Sequence, residues 1–216
     1  MDFHSCTKSD DIESLTDIDC LPPDWAKLLQ IQSGFVEKYL PKQKKVIEIG
    51  CGEGLLLSEL LNRNYKVYGI EPSEAASKRA VMRGIEVKNG YFPQQKFNGE
   101  FDVVIMSHVL EHIENPSNII NEIVKIAPKG YLLLSQTNYL GLIPRIQKGK
   151  WYAWVPEQHF WHFSLHGLSR FLADFGFKQV DYAYSSLVHP HDIWYKIASQ
   201  KNSWADQFTV LYKLES

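Results

Sequence analysis

The sequence predicts an α/β chain built on a doubly wound, mostly parallel sheet, and two observations carry that prediction. Val46-Ile47-Glu48-Ile49 is an apolar run that breaks into glycines at alternate positions, Gly50, Gly52 and Gly54, with a helical pattern from Leu55 to Leu61 directly after. Strand, tight glycine turn and helix is how such a sheet presents a ligand to the N-terminus of its first helix. Further on, Phe101 to Met106 is a nearly unbroken apolar run, as a strand covered on both faces should be.

The remaining elements follow in order. Pro22-Pro23-Asp24 opens a helix in which Trp25, Leu28, Leu29, Phe35, Val36 and Tyr39 recur at helical spacing. Covering a ligand cleft and packing on the sheet are both open to it. The helix after the glycine turn ends at Asn62-Arg63-Asn64, and the second strand runs from Lys66 to Ile70 with Glu71 just past its end. Ser73 caps a helix to Met82 that Gly84 closes, and Ile85-Glu86-Val87 is a short third strand. Pro116 starts a helix through Ile126, and Pro128-Lys129-Gly130 turns into a fifth strand, Tyr131 to Ser135.

Residues 137–163 then form an unusually long connection, in which Gly141, Pro144, Gly149 and Pro156 are expected to break any regular pattern. Ser164 caps a helix through Phe175, which Gly176 terminates. Strands at about Phe177 to Tyr184 and Phe208 to Leu214 bring the total to seven, with an antiparallel pair at one edge.

Size and composition narrow the class. A chain of 216 residues suits one domain, and a domain of that size buries roughly 70% of its unfolded surface. Hydrophobic residues at 44% and charged residues at 22% are ordinary for a soluble protein. A net charge of −2 sets up no field to recruit nucleic acid or an acidic membrane. The Lys42, Lys44 and Lys45 cluster reads as a solvated loop. No apolar run reaches the roughly 20 residues of a membrane span, and Met1-Asp2-Phe3-His4-Ser5 is no signal peptide.

Residues 1–22, rich in Asp, Ser and Thr, are expected to be a disordered leader, with the folded domain covering 23–216. Three cysteines fit a reducing cytoplasm rather than a disulfide framework. Cys51 sits inside the glycine turn, where small size is the requirement. Cys6, Cys20 and His4 lie in the leader without the spacing of a zinc site.

The spacing of the turn carries the chemistry. A dinucleotide fingerprint is G-x-G-x-x-G, in which the glycines admit a pyrophosphate. Here the pattern is E-x-G-x-G-x-G, with Glu48 in the strand before the turn. A carboxylate there repels a pyrophosphate and attracts an ammonium. The ligand implied is a nucleoside with an amino-acid end.

That pattern resembles the first motif of class I S-adenosylmethionine-dependent methyltransferases. Val67-Tyr68-Gly69-Ile70-Glu71-Pro72-Ser73 is similar to the second strand of that family, and Phe101 to His112 to its fourth strand and following "LEH" segment. Trp161-His162-Phe163-Ser164 and the helix ending Asp174-Phe175-Gly176-Phe177 are similar to its closing region. The branch resembled contains the ubiquinone-biosynthesis and related small-molecule methyltransferases, and the likeness covers roughly residues 40 to 185.

The resemblance implies a seven-stranded Rossmann-like sheet and S-adenosylmethionine as cofactor. It implies a cofactor site of Glu48, Gly50, Cys51, Gly52, Gly54, Glu71, Pro72, Ser107 and His108, with Glu71 on the ribose. Adenine recognition departs from the family, because Asn89-Gly90-Tyr91-Phe92 stands where an acid often does; Tyr91 and Phe92 are candidates for stacking or for core.

Among candidate bases, His108 and His112 follow strand four, and His112 is read chiefly as holding the loop. Trp151, Tyr152, Trp154, Phe160, Trp161 and Phe163 put six aromatics into thirteen residues, and are expected to form an acceptor wall and lid in the insertion at about 137–163. His159 and His162 are interleaved with them and either could take the acceptor's proton; His159 is the favoured base, because Pro156-Glu157-Gln158 places it in the loop. Metal binding by His159/His162/His166 or His189/Asp192 lacks the support of an HExxH motif or cysteine pairs, and none is expected.

The function expected is methyl transfer to a small-molecule acceptor, favoured at an oxygen of a sugar, phenol or quinone-like ring. The alternative is a non-catalytic S-adenosylmethionine-binding module serving a partner protein. A nicotinamide-dependent dehydrogenase is disfavoured by the turn spacing. Nucleic-acid methylation is disfavoured by charge and by Ser107-His108-Val109-Leu110 standing where an Asn/Asp-Pro-Pro-Tyr motif would be. Oligomeric state is not legible.

Overall fold

The computed structural model describes residues 21–186 and 204–215. All but the last two residues of the expected leader, with His4, Cys6 and Cys20, lie outside them, as do His189 and Asp192.

Seven strands form one sheet: β1 (Lys45–Ile49), β2 (Lys66–Glu71), β3 (Glu86–Asn89), β4 (Val103–Ser107), β5 (Tyr131–Thr137), β6 (Phe177–Ser185) and β7 (Gln207–Leu214). Their order is β3-β2-β1-β4-β5-β7-β6. β1 pairs with β2 and β2 with β3 in parallel, whereas β7 runs antiparallel to both β5 and β6. The doubly wound, seven-stranded sheet with an antiparallel edge pair is therefore present as expected. By contact density the chain divides into two compact units, residues 1–105 and 106–216.

In the first unit, α1 (Pro23–Tyr39) starts at a proline, whose missing N–H costs nothing at that position. It buries Leu28, Gln32, Ser33 and Val36 and packs against α2 (Leu55–Asn62). α2 in turn buries Leu56, Leu57 and Leu60. α3 (Glu74–Met82) is capped as read, with the Ser73 hydroxyl accepting from the Ala76 N–H. The lysines of the 42–45 cluster are partly paired: Lys42 with Glu37 at 2.7 Å and Lys44 with Asp102 at 2.9 Å.

In the second unit, α4 (Pro116–Ile126) buries Ile119, Ile120 and Ile123, and α6 (Leu165–Ala173) buries Leu168 and Leu172. The β5–β7 ladder carries a buried Ser135–Thr209 hydroxyl pair at 2.8 Å. One expectation is corrected here. The 137–163 connection is not irregular throughout, because it contains α5 (Leu142–Gln147) and a 3-10 turn at Lys148–Lys150. Gly141 is the cap of α5 and Pro144 lies in its first turn, where main-chain N–H groups lack helical partners anyway.

The glycines of the turn have separable roles. Gly54, at φ +75°, would place a Cβ 2.3 Å from Ile85 Cδ1 and 3.1 Å from Ala80 Cβ, so it is a packing glycine. At Gly52, φ +53°, a Cβ would meet nothing within 4 Å. Gly54→Ala should therefore lower unfolding free energy by about 1–3 kcal/mol through overpacking, with backbone strain in addition. Gly52→Ala should incur the strain alone. Urea midpoints that fall equally in both variants would refute this division.

Candidate functional site

Within residues 21–105 the site is built on the β1–α2 turn and the end of β2. Glu48 sits in β1 at 5% exposure, among apolar neighbours, and its Oε2 has no hydrogen-bond partner. Burial, and then the nearby charge of Glu71, push its carboxyl up to about 8. An acid in that state is mostly protonated at neutral pH and lacks a counter-charge.

Glu71 ends β2 at 8% exposure, so it is not the ordinary exposed acid its Pro-Ser context would allow. Its two carboxylate oxygens accept from the main-chain N–H groups of Gly52 and Ser73, each at 2.8 Å. The carboxylate thereby fixes the glycine turn to the end of β2. Gly50 closes against the same strand, its N–H donating to Ile70 O at 2.8 Å.

Cys51 is buried, and a Cβ on Gly69 would lie 2.6 Å from its sulfur. Burial and the charges of Glu48 and Glu71 push its thiol far up, which keeps it protonated and unreactive. Asn89 donates to the carbonyls of Glu71 and Pro72, at 2.9 and 3.1 Å, so its amide holds the strand end. Of the aromatic pair beyond it, Phe92 is buried in the core while Tyr91 is 71% exposed.

Within residues 106–215 a second constellation surrounds the 3-10 turn Leu110–His112. His108 follows β4 at φ +54°, a conformation unusual for a residue with a Cβ. Its Nδ1 lies 3.4 Å from Glu111 Oε1, and its Nε2 lies 3.3 Å from Gln207 Oε1. Glu111 is 1% exposed, and its Oε2 has no hydrogen-bond partner. Burial opposes its charge, but the hydrogen bond and charge of His108, followed by its own backbone and the neighbouring Gln136 side chain, outweigh this and hold the carboxyl below its ordinary range.

The 151–163 segment is clasped onto that turn. Phe160 N–H donates to Glu111 O at 2.8 Å, Trp161 Nε1–H donates to Ile113 O at 2.9 Å, and His112 Nδ1 contacts Gln158 O at 2.9 Å. The His112 contact joins the turn to the loop. His159 Nδ1 is bonded to Ala153 O at 2.8 Å, and its ring stacks edge-on against His112 with centroids 4.7 Å apart.

The aromatics expected to act together divide. Trp151 and Phe163 are buried, whereas Tyr152, Trp154, Phe160 and Trp161 are partly exposed. A cavity of about 520 Å³ lies beside them, lined by Asn115, Tyr139, Trp161, His162, Phe163 and Phe171 among others. Trp154 and His159 are not among its lining residues. The histidine that reaches it is His162, whose Nδ1 is buried without a partner and whose ring is held below its ordinary pKa by burial and by His159, despite Glu111. Sequence reasoning allowed His162 as a base but favoured His159, and grouped His162 with His159 and His166 as a metal candidate. Its place directly before the buried Phe163 was the available signal.

An α/β sheet in this strand order, with an acid-bearing strand running into a glycine turn, is the fold of S-adenosylmethionine-dependent methyltransferases of known structure. The chain has a TM-score of 0.66 at 20% identity to one from Thermotoga maritima, covering 87% of this chain and 92% of that one. To magnesium protoporphyrin IX methyltransferase from Synechocystis, solved with bound SAH, the TM-score is 0.64 at 18% identity, covering 89% and 84%. The chain belongs to the methyltransferase-domain family, whose model matches residues 22–182. The motif resemblance is borne out at that level. Among curated proteins, a ubiquinone biosynthesis O-methyltransferase from Shewanella pealeana is 32% identical over 104 residues, or 44% of each chain. The chain spans about half the length of the curated relatives it matches, 44% and 53% for two of them. Among the described residues no helix is long and apolar enough to cross a membrane.

The raised Glu48 carboxyl has a consequence for stability. The folded protein holds that proton up to about pH 8, whereas the unfolded chain releases it near the ordinary carboxyl value of 4.5. The protonated acid's contribution is complete below the lower value and is lost as pH rises through the higher one. Relative to the wild type, Glu48→Gln should therefore gain urea stability as pH rises from about 4, where the acid's contribution is complete, to about 8.5, where it is lost. A stability difference that stays constant over that range would show that Glu48 ionises normally.

Proposed function

We propose that this chain is an S-adenosylmethionine-dependent methyltransferase that methylates a small molecule at oxygen. The observation that carries the reading is the donor-side geometry: a buried acid with an orphaned oxygen, a glycine with open space in place of a side chain, and a fixed carboxylate at the end of β2. When bound, the cofactor supplies a methyl carbon already activated on a sulfonium. The residues fit it. Glu48 takes the ammonium of the amino-acid end, and Gly52 leaves its backbone open to approach. Glu71, with one lone pair of each oxygen committed to a main-chain N–H, keeps acceptor capacity for two ribose hydroxyls. Such charged hydrogen bonds contribute about 1.5–3 kcal/mol each.

On the acceptor side, Tyr139, Trp161, Phe163 and Phe171 give the cavity flat apolar walls suited to a phenol, quinol or sugar-like ring. His162 takes over the base role that the sequence suggested for His159, because it lines the cavity and is neutral at pH 7. His108 is engaged with Glu111 and Gln207, which suits positioning. The carbon–sulfur bond breaks as the carbon–oxygen bond forms. The hydroxyl proton passes to His162 and then to solvent, and S-adenosylhomocysteine is left.

The test is a screen of catechols, phenols, quinols and sugars with purified protein and S-adenosylmethionine, scored by the mass of one added methyl. Methylation of nitrogen or carbon acceptors alone would refute the oxygen assignment, and no methylated product from any acceptor would refute the activity. The donor site has its own readout. Near pH 6.5 Glu48 begins protonated while the donor's ammonium keeps its proton, so binding should release up to about one proton per site. Calorimetry in buffers of different ionisation enthalpy should show that release in the wild type and not in Glu48→Gln. Gly52→Val should abolish binding outright. Unchanged donor affinity in Gly52→Val together with no proton release would sink the cofactor assignment.

A further inference from the structure

A ring nitrogen of His112, a ring nitrogen of His159 and a carboxylate oxygen of Glu111 all lie within 4.8 Å of one another. Each histidine has its Nδ1 against a main-chain carbonyl, Gln158 O at 2.9 Å and Ala153 O at 2.8 Å. A carbonyl can only accept, so both Nδ1 atoms carry the proton and both Nε2 atoms carry a bare lone pair. That is the tautomer a metal-bound imidazole needs, with the second ring N–H fixed by a main-chain oxygen. An independent feature points the same way. Glu111 is 1% exposed, and its Oε2 has no hydrogen-bond partner while Oε1 faces His108. A buried carboxylate oxygen without a formed hydrogen bond is costly; the Gln136 amide beside it has not closed on it, its own Nε2 being unpartnered, and a cation would satisfy the oxygen.

From this convergence we propose that Glu111, His112 and His159 form a binding site for a divalent transition-metal ion, Zn²⁺ foremost, with His108 orienting the carboxylate. Two imidazoles and one carboxylate suit zinc and its neighbours and leave a coordination position for water or another oxygen ligand. Ligands at about 2.0–2.2 Å from one zinc ion stand about 3.3–3.6 Å apart, so closing the triplet takes shifts of about 1 Å. The frame for it is already assembled. The Phe160 and Trp161 N–H groups both donate to Glu111 O, at 2.8 and 3.4 Å, pinning the segment that carries His159 to the turn that carries Glu111 and His112. The sequence grouped these histidines differently, by neighbourhood within 159–166, and His162 and His166 are not part of this triplet.

The experiment uses full-length, tag-free, chelator-stripped protein without methyl donor, so its outcome is separate from that of the methyl-transfer assay. Zn²⁺ is titrated in competition with a chromophoric chelator, and Co²⁺ is added as a spectroscopic substitute. The expected result is one ion per chain and a raised melting temperature. His112→Ala and His159→Ala should each weaken binding at least about tenfold, while the exposed His166→Ala leaves it unchanged. The Co²⁺ spectrum should show d–d bands without thiolate charge transfer. Glu111→Gln should lose affinity likewise; where it fails to fold by circular dichroism, the two histidine variants decide, His112 being exposed and His159 half-buried. No stoichiometric binding by the wild type, affinity unchanged in both histidine variants, or a thiolate signature from cysteine ligation would each overturn the site.

Discussion

The carboxylate of Glu71 is the interaction on which the donor-side turn depends. Both of its oxygens are held by main-chain N–H groups, one from Gly52 inside the turn and one from Ser73 at the cap of α3. Hydrogen bonds to a charged acceptor contribute about 1.5–3 kcal/mol each, enough to help hold a turn with three left-handed glycines at alternate positions. One side chain thus ties the turn before α2 to the β2–α3 junction, 19 residues further along the chain. Shortening it to Asp would retract the carboxyl from both donors, so the length of the acid matters as much as its charge.

The second unit is organised by main-chain contacts instead. Glu111 accepts two N–H groups of the 151–163 segment at its carbonyl, and Trp161 returns an indole N–H to Ile113. These bonds use no rare residue chemistry at the carbonyl end, so a substitution at Glu111 changes the carboxylate without removing the clasp. They nevertheless fix the path of the segment at Phe160 and Trp161. Trp151 and Phe163 turn inward and anchor the segment, which leaves the intervening rings outside.

What the sequence disclosed follows from the range of the physics involved. Gly50, Gly52 and Gly54 announce a turn because positive φ is a local demand, and all three take it, at φ 73°, 53° and 75°. The strands were legible from apolar runs, and Glu71 from its place after one of them. α5 was missed because Gly141 and Pro144 read as breakers. They are breakers only in a helix interior, and here they occupy the cap and first turn, where neither disrupts a bond. The base assignment moved from His159 to His162 for a different reason: loop residues lack a period, so nothing local says which ring faces a cavity. The meeting of His112 with His159 is set by a clasp across 46 residues, from His112 to Gln158, and no window of sequence contains it.

Glu48 marks the place where function and stability part. An unpaired acid in a buried strand works against the fold at neutral pH, and a valine or isoleucine there would match its neighbours Ile47 and Ile49. The fold tolerates the acid by keeping it protonated, helped by the like charge of Glu71. A cationic ligand reverses that balance. Its ammonium makes ionisation favourable where burial had made it unfavourable, so the electrostatic penalty in the empty site becomes a reason for the cation to bind. A neutral or anionic nucleoside finds no such reversal. In the proposed donor site, selectivity for a ligand with a charged amino-acid end would come from the same burial that destabilises the strand, and Glu48→Gln would remove both.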